Sequence, residues 1–454
     1  MKGHQDIRVG FVGFGEVNTP REFIDKRCDA VAEKLVAEGM HLVKAAPVAD
    51  DPAGEQSARA VKELSKEDFS VLIVCIAGWI PNWAVMSVIE SFKHKPMVLL
   101  GLTGWQDGDR FVTTADQAGS TSLRKPMADM GYTFKYIVNR RGLELPIDRI
   151  VSYCRAADTA ERLKTAKIGM AGYRDMRLYG TLYDGISLKG RIGPEIEHFD
   201  LLELQQFMDA TNEGEVDALA GELRTRWDFK KEPQPGTVEN SVKLYMAIRR
   251  KLEERGYDAF SFCDVDGIKK LMGFAPAGAM TLLHDEMAIP TVPENDSMGA
   301  VTQLIVHYLT GQVAAYLEFY EFMENGALMG VPDYVPGEIV DGRVTVMPNA
   351  FGDFGEGLLN VSKLKTGKAT LARLGYTGNE YTMHIMTATA QGPIPWEEAG
   401  WAPPAPQLPS LDILFDGDTE DFIQKVMSQH YILSYGDNRA ALEDLCSVLD
   451  INVI

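Results

Sequence analysis

The chain has 454 residues, 45% hydrophobic and 24% charged, which suits a globular protein of about three domains and argues against a disordered one. Lys and Arg number 45 against 65 Asp and Glu, and the formal charge of −20 disfavours nucleic acid and anionic membrane as partners. No run approaches the ~18 apolar residues of a membrane span. The opening MKGHQDIRVGFVGFGEV lacks a signal-type apolar core, and the five cysteines (Cys28, Cys75, Cys154, Cys263, Cys446) form no CxxC pair. A cytoplasmic protein with reduced thiols is expected.

In chain order, IRVGFVGF (7–14) reads as a strand and 20–39 as an amphipathic helix, with proline near its start and glycine at its end. HLVK is a strand, 54–67 a helix, FSVLIVCIAG a strongly apolar strand, IPNWAVMSVIESFKH a helix and KPMVLLGL a strand. This alternation predicts a parallel α/β domain over 1–160. A second such domain is expected over 161–335. It opens on KIGMAGYRDM and continues through EIEHF, the helix pattern at 238–255, DAFSFCDVD, APAGAMTLLHDEM, AIPTV, AVTQLIVHYL and the aromatic strand VAAYLEFYEF. Beyond that, GEIVDGRVTVM, GKATLARLGY and EYTMHIMTATAQG predict a small β-rich, barrel-like domain over 336–454. It contains a proline-rich crossing at 401–410 and ends in a helix, NRAALEDLCSVLD. The expected architecture is two Rossmann-like parallel-sheet domains followed by this barrel-like one.

Several motifs carry chemistry. Gly13 and Gly15 begin a dinucleotide-type turn, but Asn18 stands where the last glycine of GxGxxG belongs, so nucleotide binding is disfavoured. PENDSMGA sets Glu294 and Asp296 at the carboxyl end of an apolar strand, where ligands bind in α/β sheets; Asp296 or Ser297 equally suits a helix cap. Glu318 lies within AAYLEFYEF, where a carboxylate is costly to bury unless paired or metal-bound; a half-exposed strand with Glu318 and Tyr320 outside explains it as well, and Glu321 is its rival. Of the eight histidines, His430 in SQHYILSYGD adjoins an apolar strand. His284 and His307 fall in helical patterns, and His4, His41, His94, His198 and His384 have no supporting motif. Asp264 and Asp266 in FCDVDG read as a carboxylate pair at a strand end or as turn formers before Gly267.

The run PENDSMGAV, the following YLTG, and an acidic residue in an aromatic strand resemble the metal-binding core of the L-fucose isomerase and L-arabinose isomerase superfamily, in a short L-fucose isomerase-like form. The resemblance implies a divalent ion, Mn²⁺ first and Mg²⁺ second, held by Glu294, Glu318 and His430, the last standing ahead of Tyr435, Gly436 and Asp437. It implies interconversion of an aldose and a ketose by enediol proton transfer, with Glu294 and Glu318 as the acid–base pair. It further implies Met176 (in GYRDMRLY), Asp266, and Trp79 or Trp83 in the sugar pocket, and assembly as a trimer or hexamer. A deoxyhexose or pentose is the expected substrate. The alternatives are a sulfonated sugar such as sulfoquinovose, for which Arg21, Arg27 or Arg177 would serve as cationic donors, and a non-catalytic sugar-binding protein.

Overall fold

The protein is described by a computed structural model covering residues 7–331, 334–350, 354–377, 380–396 and 407–454. His4 and most of the proline-rich crossing, 401–406, lie outside the described residues. The chain divides into two compact units, one of residues 2–162 with 443–450, the other of 163–442 with 451–454.

The first unit is built on a five-stranded, wholly parallel sheet in the order Met40–Lys44, Ile7–Phe14, Val71–Ile76, Met97–Gly101, Phe134–Val138. Its inner strands Val71–Ile76 and Met97–Gly101 are buried on both sides, which is why VLIVCI and MVLLG are continuously apolar. Val12, Phe14, Leu72, Val74 and Leu99 enter one core; Val9, Phe11, Ile73, Cys75 and Leu100 enter the other. The glycines of the incomplete dinucleotide motif serve packing. A Cβ on Gly13 would stand 2.2 Å from the Cys28 sulfur, and one on Gly15 2.4 Å from Ile24 Cδ1, so both admit the helix Arg21–Ala37.

The second unit begins with a four-stranded parallel sheet, Thr291–Val292, Ala259–Phe262, Lys167–Ala171, Glu195–Phe199. AIPTV yields only two paired residues because Pro290 and Pro293 flank them and donate no hydrogen bond. The unit continues into six antiparallel strands ordered Gly367–Thr377, His430–Tyr435, Ala315–Met323, Gly326–Gly330, Ser410–Phe415, Glu380–Gln391. The last pairs with the first, so the barrel is closed. One alternating set points inward, with Ala315, Leu317, Ala369, Leu371, Ala388, Ala390, Leu411, Ile413, Tyr431 and Leu433 in one core. The helix Ser297–Thr310 packs against the barrel strands Gly367–Thr377 and His430–Tyr435. GEIV, expected as a strand, contains a 3₁₀ turn at Gly337–Ile339 that follows Pro336.

Candidate metal centre

Glu294 and Asn295 follow the short strand Thr291–Val292 in a turn with left-handed backbone, φ 63° and 48°. A non-glycine residue is held there only by its surroundings. The Asn295 amide donates to the carbonyls of Ala171 and Tyr173, and the Glu294 N–H donates to Asp264 Oδ1 at 3.0 Å. The next residue, Asp296, caps the helix Ser297–Thr310 by accepting from the Gly299 N–H at 3.0 Å.

Asp296 does more than cap. Its carboxylate takes a two-pronged contact from Arg373, Nη1 to Oδ2 at 2.6 Å and Nη2 to Oδ1 at 2.8 Å, and the Tyr316 hydroxyl donates to it at 2.8 Å. Arg373 and Asp296 are each only 2% exposed. Burial opposes the charge on Asp296, but the Arg373 guanidinium and the Gly299 amide outweigh it and hold the carboxyl below its usual range. Burial, Asp296 and Glu294 together push the Tyr316 phenol well up.

The Tyr316 ring lies over His430, with centroids 4.3 Å apart and planes inclined by 22°. Burial, with a smaller push from Arg373 and against the pull of Asp296, brings the His430 pKa down to about 3, so its imidazole is neutral near pH 7. Its Nδ1 stands 3.8 Å from Glu294 Oε2, a contact beyond hydrogen-bond range; with the imidazole neutral it is no ion pair. Glu318 sits opposite His430 in the register of adjacent antiparallel strands, so the two side chains leave one face of the sheet, which Tyr316 shares. Glu321 is exposed, beyond an irregularity in the pairing after Phe319.

A buried acidic set supports this turn from the other side. Asp175 is fully buried and accepts from the Cys263 thiol at 3.2 Å and the N–H groups of Val265 and Asp266 at 2.8 and 2.7 Å. Despite burial, these donors and a bond with the Asp264 side chain hold the Asp175 carboxyl low. Burial, with Asp175 next, pushes the Cys263 thiol up. Asp264 opens a π-helical turn, Asp264–Met272, and pairs with buried Lys269 at 3.2 Å. Asp264 and Asp266 therefore differ: Asp264 is buried beneath Glu294, whereas Asp266 pairs with Lys270 at 2.6 Å and is 38% exposed.

The sequence-derived residues are thus brought together unequally. Glu294 and His430 meet, and Glu318 shares the His430 face. Among the described residues, no three His, Cys, Asp or Glu side chains are close enough together to hold an ion. Met176 is partly exposed in a left-handed turn with Arg177. Trp79 and Trp83 are exposed residues of the other unit. Also in that unit, Arg27 is spent on Asp116 and on the carbonyls of Ala77 and Thr103, and Arg21 on Asp25 and the Pro47 carbonyl. Sequence reasoning missed Arg373, Tyr316, Asp175 and Lys269. The only signal for Arg373 was a cation inside the largely apolar strand ATLARLGY.

Residues 176–282 match the family described as the L-arabinose isomerase central domain. The L-arabinose isomerase of Shouchella clausii is 23% identical over 323 residues, 67% of this chain and 63% of that protein. That of Leuconostoc mesenteroides is 24% identical over 304 residues, 63% of each. The chain spans a little under two thirds of the length of these relatives. A solved periplasmic solute-binding protein of an ABC transporter from Actinobacillus succinogenes, with bound D-allose, aligns at 11% identity over 73% of this chain and 95% of that one; its TM-score of 0.17 is too low to indicate a shared fold. No helix of the described residues is long and apolar enough to cross a membrane. The family match takes in Asp264 and Lys269 and ends before Glu294, while the alignments to single L-arabinose isomerases extend over about two thirds of this chain.

Proposed function

We propose that the protein is a metal-dependent aldose–ketose isomerase acting on a pentose or deoxyhexose of the L-arabinose or L-fucose type. The observation that carries this reading is the approach of the Glu294 carboxylate to the buried, neutral His430 imidazole at 3.8 Å, with Glu318 opposite His430 on the neighbouring strand. Two carboxylates and an uncharged imidazole are a donor set suited to Mn²⁺ or Mg²⁺, since an imidazole must be unprotonated to bind metal. Glu294, Glu318 and His430 would hold the ion. When bound, it supplies Lewis-acid stabilisation of negative charge on the sugar oxygens.

The protein's own groups would do the rest. One of the two glutamates removes the proton from the carbon beside the carbonyl and delivers a proton to the former carbonyl carbon, and the other carries the hydroxyl proton to the carbonyl oxygen. Met176 and Asp266 are proposed to contact the sugar. The cations buried near this turn, Arg373 and Lys269, are each held by a carboxylate, which favours an uncharged sugar over a sulfonated one. Assembly as a homo-oligomer belongs to the same proposal.

The test is a panel of L-arabinose, L-fucose and 6-sulfonated glucose, incubated with the chelator-stripped and then Mn²⁺-replenished protein, with the ketose measured by chromatography. Ketose formation from a neutral sugar, abolished by chelation and lowered about a thousandfold by Glu294→Gln, is expected. Full turnover by Glu294→Gln at saturating Mn²⁺ sinks the assignment.

A further inference from the structure

We propose that Arg373 is a positioning residue that sets the Glu294–His430 pair through Asp296 and Tyr316; the inference rests on the metal-centre reading above. Glu294 arrives from the parallel-sheet part of the unit and His430 from the barrel, so their separation depends on how two differently built layers are joined. Three side chains make a join beside them. Arg373 comes from the barrel strand that pairs with the His430 strand, Ala372 standing opposite Ile432. Its guanidinium grips both oxygens of Asp296, two residues beyond Glu294. The same carboxylate accepts the hydroxyl of Tyr316, whose ring covers His430 at 4.3 Å. One carboxylate thus links the turn that presents Glu294 to the ring that packs on the imidazole.

The turn needs such a hold because Glu294 and Asn295 both have left-handed backbone. Stability alone is a poor explanation of the join: a buried ion pair is often matched or bettered by apolar residues of the same volume. What the fork adds is direction, since two parallel N–H···O bonds fix the carboxylate plane, and a lysine at the same place offers a point charge only. Groups that orient metal ligands without touching the metal commonly govern affinity by ten- to a hundredfold.

The experiment compares wild type with Arg373→Lys and Tyr316→Phe, reading Mn²⁺ affinity by loss of the free-ion electron paramagnetic resonance signal, kcat and KM separately, and the melting temperature of the metal-free protein. Arg373→Lys is expected to weaken Mn²⁺ binding by about tenfold or more and to lower kcat well beyond any change in KM. Tyr316→Phe, which removes only the hydroxyl donor to Asp296, is expected to do the same to a smaller degree and covers the case in which Arg373→Lys does not fold. Wild-type Mn²⁺ affinity and kcat in both folded variants, or losses that only follow the melting temperature, overturn the inference. A wild-type protein that neither binds Mn²⁺ nor isomerises a sugar overturns the functional proposal and this inference with it; Mn²⁺ binding that Glu294→Gln weakens and Arg373→Lys does not overturns this inference alone.

Discussion

Glu318 and His430 face each other across two antiparallel strands, although 111 residues lie between them in the sequence. That register separates Glu318 from its neighbour Glu321, which is exposed beyond an irregularity in the pairing. Glu318→Gln is therefore expected to lower kcat by about a hundredfold or more, while Glu321→Gln stays within about twofold of wild type. Steady-state kinetics with Mn²⁺ decide it, and equal losses in the two variants would show that the register does not select the ligand.

Asp175 is an acceptor for three donors at the head of the π-helical turn, and its other neighbour is the left-handed Met176. Asp175→Asn keeps the size and loses the charge, so a destabilisation of roughly 3 kcal/mol is expected. Urea unfolding with an unchanged m-value measures it. A shift below about 0.5 kcal/mol would mean the turn is held by something else.

Acid should weaken the fold in a defined window. Burial brings His284 down to about 3 and His384 to about 4, from an ordinary 6.5. Below pH 6.5 the unfolded chain takes up protons that the folded one refuses, so this contribution is complete above 6.5 and falls as pH drops toward 4. Each group contributes at most about 1.4 kcal/mol per pH unit. Melting temperatures of the metal-free protein between pH 7.5 and 5 give the slope, and a His384→Phe variant that folds should flatten it. An unchanged slope there would remove His384 from the account.

Two glycines separate crowding from backbone strain. Gly326 has φ 147°, and a Cβ on it would stand 1.9 Å from the Ile413 carbonyl oxygen. Gly342 has φ 94° with no atom within 4 Å of its would-be Cβ. Gly326→Ala should cost more than about 3 kcal/mol and Gly342→Ala about 1 kcal/mol, read as melting temperatures. Comparable losses would mean that the barrel hairpin yields more easily than its packing implies.

Much of the fold was legible because burial writes itself into local patterns. VLIVCI is apolar throughout since both faces of its sheet are buried under separate cores. AIPTV and GEIV misled on length and type because proline removes the donors a strand needs. The site was less legible. Glu294 was visible from its strand-end position, and Asp296 from its place as a cap. The second duty of Asp296, with Arg373, depends on a pairing across 77 positions that neither local sequence encodes. Arg373 reads by its charge as a solvent-facing cation, and Lys269 in DVDGIKKLM as part of a charged turn, yet both are buried. Both are buried only because Asp296 and Asp264 wait for them.

The last helix carries a consequence for how the chain matures. Residues 443–450 belong to the first unit, where Asp444 accepts from Lys135 and from the Ser152 hydroxyl at 2.9 Å and Val448 packs on the Val9–Phe11 core. Between 162 and 443 the chain builds nearly all of the other unit. During synthesis the amino-terminal sheet must wait, with part of its core uncovered, until the barrel strands have left the ribosome. Its final closure is a late step, and chaperones would find a long-lived target in a part of the chain made before the barrel.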